Sequence, residues 1–252
     1  MAPMIVRGKY VFVVGAFFGL AAVVVVAIFV FGNWELGDEE TGAPMLTTGF
    51  IDLDAVEKIS KFRSCQGHTV VPQDESESRR NMKHYVVLKD AFVGKNVSIK
   101  APFDGYVQGT YSNPENGLEG EIWIGVMGNP WAVSFEHIML VKEFHRGERV
   151  KAGDVLGYVP DRGFDVVYAI GAEEVKNIDG WNSPFSALDS VFHHMSDQAF
   201  AAYQSHGVTS RETLMYSKEF RDARPCEYIT GLNVQAGQLN DFNHMEDWIF
   251  LR

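Results

Sequence analysis

Two cysteines and eight histidines hold most of the nucleophilic and metal-binding potential of this 252-residue chain. Cys65 and Cys226 would form a disulfide in an oxidising exterior, tying the start of the globular region to its end; elsewhere they would be two unrelated buried thiols. Their spacing leaves both readings open. His193 and His194 are adjacent, so on a helix their side chains diverge by about 100° and share no face. That suits surface residues better than a metal pair. No Gly-rich phosphate loop, Cys-x-x-Cys pair or Gly-x-Ser-x-Gly elbow is present. The net charge is −11 with the acidic residues dispersed, which argues against nucleic acid as a partner, since a nucleic-acid groove needs a basic patch.

The elements that must position these groups divide the chain into four parts. Residues 10–31, YVFVVGAFFGLAAVVVVAIFVF, carry no charged side chain. That run is long enough to cross a bilayer as a helix and too long for the apolar core of a signal peptide. Arg7 and Lys9 precede it, whereas Glu35, Asp38, Glu39 and Glu40 follow it. The basic flank predicts a single-pass protein with a cytoplasmic N-terminus and an extracytoplasmic C-terminal domain. Residues 1–34 are thus read as cytoplasmic tip and anchor, and 35–83 as juxtamembrane linker and lead-in. Within the lead-in, residues 72–82 (PQDESESRRNM) read as an exposed loop.

From residue 84 to 172 short apolar or alternating runs broken by glycine predict a β domain: YVVL, NVSIKA, GYVQG, EIWIGV, WAVSFEHIML and VLGYV. The stretch GERVKAGDVLGYV (147–159) predicts two short strands, Glu148 to Val150 and Val155 to Val159, around a turn with Gly153 at its tight position. Residues 173–252 read as a helical C-terminal extension. In it Ser196 caps a helix stopped at Gly207, and Thr209 with Glu212 opens a second helix through TSRETLMYSKEFRDA. The apolar cluster Trp248, Ile249, Phe250 and Leu251 is expected to pack back onto the domain.

VSIKAPFDGYV (97–107), followed by FEHIML and GERVKAGDVLGYV, resembles the duplicated hybrid motif of lysostaphin-type zinc metallopeptidases, which cleave peptidoglycan cross-links. The resemblance spans about residues 84–170. It implies a mainly β, barrel-sandwich fold, here with an N-terminal transmembrane helix and a small helical C-terminal segment. In that family a His and an Asp of a first motif and a His of a closing His-x-His motif hold zinc, and a further His assists catalysis. Three protein ligands leave zinc an open position for a water whose pKa falls toward 7.

Carried onto this chain, the resemblance implies His84 and Asp90 as remnants of the metal ligands and His137 as the remnant of the catalytic histidine. No register supplies both first-motif ligands at the family's spacing of four, because His84 and Asp90 are six apart. Val-Val-Tyr stands where His-x-His belongs, and valine cannot ligate zinc. His68 is an alternative ligand from the preceding segment, or a loop histidine. The hairpin TYSNPENGLEGE lacks the lysine that related biotinyl and lipoyl carrier domains modify. The resulting expectation is a membrane-anchored, extracytoplasmic, peptidase-like protein that binds peptidoglycan or envelope proteins without hydrolysis. It needs no cofactor, or zinc if active. The alternatives are an active zinc endopeptidase and a structural subunit of a membrane complex.

Overall fold

A computed structural model describes residues 42–112, 119–229, 236–239 and 244–252. The transmembrane helix expected over 10–31 lies outside the described residues. Among the described residues no helix is long and apolar enough to cross a membrane.

The described chain is mainly β and antiparallel, with few helices. Eleven strands form one sheet: β1 (Val56–Ser60), β2 (His84–Leu88), β3 (Ser98–Lys100), β4 (Gly105–Ser112), β5 (Glu119–Gly125), β6 (Trp131–Leu140), β7 (Arg149–Val150), β8 (Val155–Tyr158), β9 (Gly163–Ile178), β10 (Trp181–Asp189) and β11 (Trp248–Phe250). The main order is β11-β1-β2-β9-β6-β5-β4-β7, with β10 beside β9 and β8 bridging β6 to β3. The expected turn over 151–154 separates β7 from β8, but the two strands do not pair with each other. β7 pairs with β4, and β8 with β3 and β6. Gly153 turns the chain at φ 87°, and at Gly157 a Cβ would stand 2.7 Å from the Met139 carbonyl oxygen. Those two glycines answer to a left-handed turn and a close strand approach.

Alternation builds the core. In β2, His84, Val86 and Leu88 are buried while Tyr85 and Val87 are only partly so. Phe50, Val86, Phe135, Phe164 and Val166 fill the main core on one face of the sheet, with Phe50 5.4 Å from Phe135, ring to ring. A smaller cluster of Phe62, Val70, Val71, Met82, Val167, Ala169 and Phe185 covers part of the other face.

Three expectations need correction. Residues 72–82 are not an exposed loop throughout: Glu77, Arg80, Asn81 and Met82 are buried, while Asp74 to Ser76, Ser78 and Arg79 are open. Arg80 reaches Glu77 and Asp222, so burial of the arginine is offset by two carboxylates. The start of the extension at 173 falls inside β9, whose hairpin with β10 carries the sheet to Asp189. The second helix is broken. Helix α1 (Asp197–Ser205) is capped by the Ser196 hydroxyl as expected, but Arg211–Leu214 forms only a 3-10 turn before helix α2 (Lys218–Asp222). Phe62 is the reason, because its backbone N–H donates to Leu214 O and its carbonyl accepts from Tyr216 N–H, at 2.9 and 3.0 Å. The terminal cluster packs back as β11, paired with β1.

Candidate functional site

The three residues singled out by the sequence are not brought together. Register pairs His84 with Val166, Val166 with Phe135 and Phe135 with Ile122, a buried row on the core face. The His84 Nδ1–H donates to the Ser60 carbonyl at 2.7 Å, which leaves Nε2 to accept from the Ser190 hydroxyl at 2.9 Å. Burial pushes its pKa down to about 4, and neither nitrogen has a lone pair left for a metal. Asp90 is 82% exposed and pairs with Arg162 at 2.7 Å. His137 is a bulge residue at φ 60°, between the pairs Glu121–Glu136 and Gly120–Ile138. Its side chain is 67% exposed, with Nε2 3.7 Å from Asp165 Oδ2.

His137 instead marks the rim of a polar row one residue out of step with the core row. Tyr85 pairs with Asp165, Asp165 with Glu136 and Glu136 with Glu121. Directly opposed residues share a face of the pleat, so one phenol and three carboxylates line up across four strands. Lys83, two residues before Tyr85, points to the same side. Its ammonium donates to Glu136 Oε2 at 3.1 Å and to Asp165 Oδ2 at closer range, and the side chain is 3% exposed. Burial alone would lower the Lys83 pKa; Asp165 and Glu136 outweigh it and hold it well above the ordinary lysine value. Lys83 is thus favoured as a buried cation, while burial, against the pull of Lys83, raises the Asp165 carboxyl. Burial, then Glu136, raises the Glu121 carboxyl.

His68 borders the same face. Its ring stacks on Trp181 at 3.5 Å between centroids, and Nδ1 donates to the Thr69 carbonyl at 3.2 Å. Burial, then the Lys83 charge, pushes its pKa down to about 4. The segment 236–239 runs alongside, with Leu239 N–H donating to Gly67 O and Thr69 N–H to Gly237 O.

The donor set does not fit a hydrolytic zinc. Glu136, His137 and Asp165 offer one donor atom each, all within 4.8 Å of one another, yet the Lys83 ammonium already bonds two of the three. A catalytic zinc needs three free donors and an open position. In the segment after LGYV, Val166 faces the core and Val167 lies opposite Ser134.

Of the adjacent histidines, His193 is exposed as expected and His194 is not. His194 is buried and stacked on Tyr168 at 4.5 Å, and both rings bond the Asp189 carboxylate at 2.9 Å. Although burial opposes it, those two bonds hold the Asp189 carboxyl well below the usual range. Cys65 and Cys226 form a disulfide with Cα atoms 5.4 Å apart.

No known protein family matches the chain, and no curated protein does. Among solved structures it is similar to one described as the crystal structure of CbpA from L. salivarius REN. That match has 17% identity and a TM-score of 0.28, over 44% of this chain and 70% of the other.

Sequence reasoning passed over Lys83, Tyr85, Glu121, Glu136 and Asp165. One signal was available: Asp165 is an acid inside the apolar run FDVVYAI. An acid on a buried strand demands a cationic partner or hydrogen-bond donors.

Proposed function

We propose that this chain is a membrane-anchored, extracytoplasmic binding protein with a peptidase-like, duplicated-hybrid-motif frame, acting on peptidoglycan or envelope proteins without hydrolysing them. The observation that carries the reading is the Lys83 ammonium held by Asp165 and Glu136. A fixed organic cation supplies charge but no exchangeable water, so it cannot generate the hydroxide nucleophile on which a metallopeptidase depends. The Cys65–Cys226 disulfide supports an oxidising compartment, and the apolar run 10–31 supports the anchor.

The test uses the full chain in detergent, incubated with insoluble peptidoglycan and assayed for bound protein, released muropeptides and zinc content. Co-sedimentation without muropeptide release and without stoichiometric zinc is expected. Zinc-dependent release of muropeptides by the wild-type chain overturns the reading.

A further inference from the structure

The misfit between the donor set and a zinc site has a specific cause, and that cause is one side chain. Two donors each about 2.1 Å from a tetrahedral zinc stand about 3.4 Å apart. The donor atoms of Glu136, His137 and Asp165, within 4.8 Å of one another, are therefore within small rotations of that geometry. His137 is free to make such a rotation, being largely exposed on its bulge. Lys83 enters from the chain just before β2 and places its Nζ between the two carboxylates. Ser134, two residues before Glu136 on the same face, is fully buried, and its hydroxyl has no hydrogen-bond partner among the described residues.

We propose that Lys83 is a tethered cation occupying a latent divalent-metal site made by Glu136, His137 and Asp165. Two carboxylates side by side, Asp165 buried and Glu136 half-buried, require a nearby positive charge or a shared proton. With Lys83 present, one ammonium supplies the charge. With the ammonium removed, the two carboxylates, once deprotonated, and the His137 imidazole form a donor set that a zinc ion neutralises while keeping a position for water. The wild-type chain then binds no zinc at this place, and a single substitution converts the lock into a ligand cage. This inference rests on donor geometry and stands whether or not the protein binds peptidoglycan.

The experiment compares zinc binding, with zinc alone as the probe, to the full-length wild type and to Lys83→Met, an unbranched side chain one atom shorter and without the charge. Lys83→Met is expected to take up one zinc at an affinity about 100-fold or more above wild type, as removal of one close buried charge implies. Adding His137→Ala should lower that affinity by at least about tenfold. Cobalt bound to Lys83→Met should give the intense visible absorption of a tetrahedral site. Equal zinc affinity in wild type and Lys83→Met overturns the proposal, as does a folded Lys83→Met that takes up none. Should Lys83→Met fail to fold without metal, refolding on zinc addition supports the proposal. Should it fail in both conditions, Lys83→Met combined with Asp165→His keeps three donors without a second buried acid. Absence of zinc uptake by that variant, or its failure to fold with zinc, overturns the proposal. Muropeptide release by wild type would overturn the function proposed above and leave this result intact.

Discussion

The two faces of the sheet differ by one residue of register and by nearly everything else. On one face His84, Val166, Phe135 and Ile122 make a dry row in which the imidazole is locked neutral between a carbonyl and a hydroxyl. On the other, Tyr85, Asp165, Glu136 and Glu121 make a charged row closed by Lys83. The same four strands build both. Histidine on the dry face is a packing residue, and the residues able to meet a cation lie on the charged face, where the sequence motifs had picked out His137 alone. Chemical type without facing direction is therefore a poor guide to a site on a sheet.

The contrast is open to three measurements. The charged face is covered by the segment that contains Phe62, Val70, Val71 and Met82, and the disulfide pins that segment to residue 226 across a sequence separation of 161. Replacing both cysteines with alanine should lower unfolding free energy by about 5 kcal/mol in the chain-entropy account. A change under about 1 kcal/mol in denaturant titration would show that the cover is held by packing instead.

The next effect belongs to the dry face. His84 titrates near 4 when folded and near 6.5 when free, so below pH 6.5 the unfolded chain takes up a proton that the folded chain refuses. Stability contributed by neutral His84 is complete above pH 6.5 and disappears as pH falls to about 4, a loss of roughly 3 kcal/mol. His84→Gln should flatten that part of the pH profile while lowering stability at pH 7. An unchanged slope between pH 6.5 and 4 would mean that the fall comes from other groups, His68 first among them. The smallest effect belongs to the rim of the charged face. Glu121 is held above the ordinary carboxylate range by burial and by Glu136, so Glu121→Gln should raise stability at pH 7 by a few tenths of a kcal/mol, after allowance for solvent screening. A loss above about 1 kcal/mol would show that Glu121 is a counter-charge for Lys83.

Much of the framework was legible because it is local. Strands such as β5 and β8 announce themselves by alternation and glycine punctuation, and α1 by Ser196 and Gly207. What failed was non-local. Nothing within residues 209–223 reports that Phe62 will claim the backbone at 214 and 216. Nothing near Lys83 reports Asp165, 82 positions away. The facing of His84 was within reach, since the alternation His84, Val86, Leu88 places the imidazole with two aliphatic neighbours. The lysine lock was not, because it needs the register of three strands that meet only in the folded sheet.

The short strand β11 has a bearing on what the border of the sheet offers to other chains. Trp248 to Phe250 pair with Lys58 to Ser60, and Lys58 Nζ lies 4.4 Å from the Trp248 ring centroid. Those three residues occupy the amide and carbonyl groups of β1 that would otherwise offer a template to any extended chain. A tryptophan, an isoleucine and a phenylalanine thus act as a stopper on the open border of the sheet, and its loss would turn a finished margin into an adhesive one.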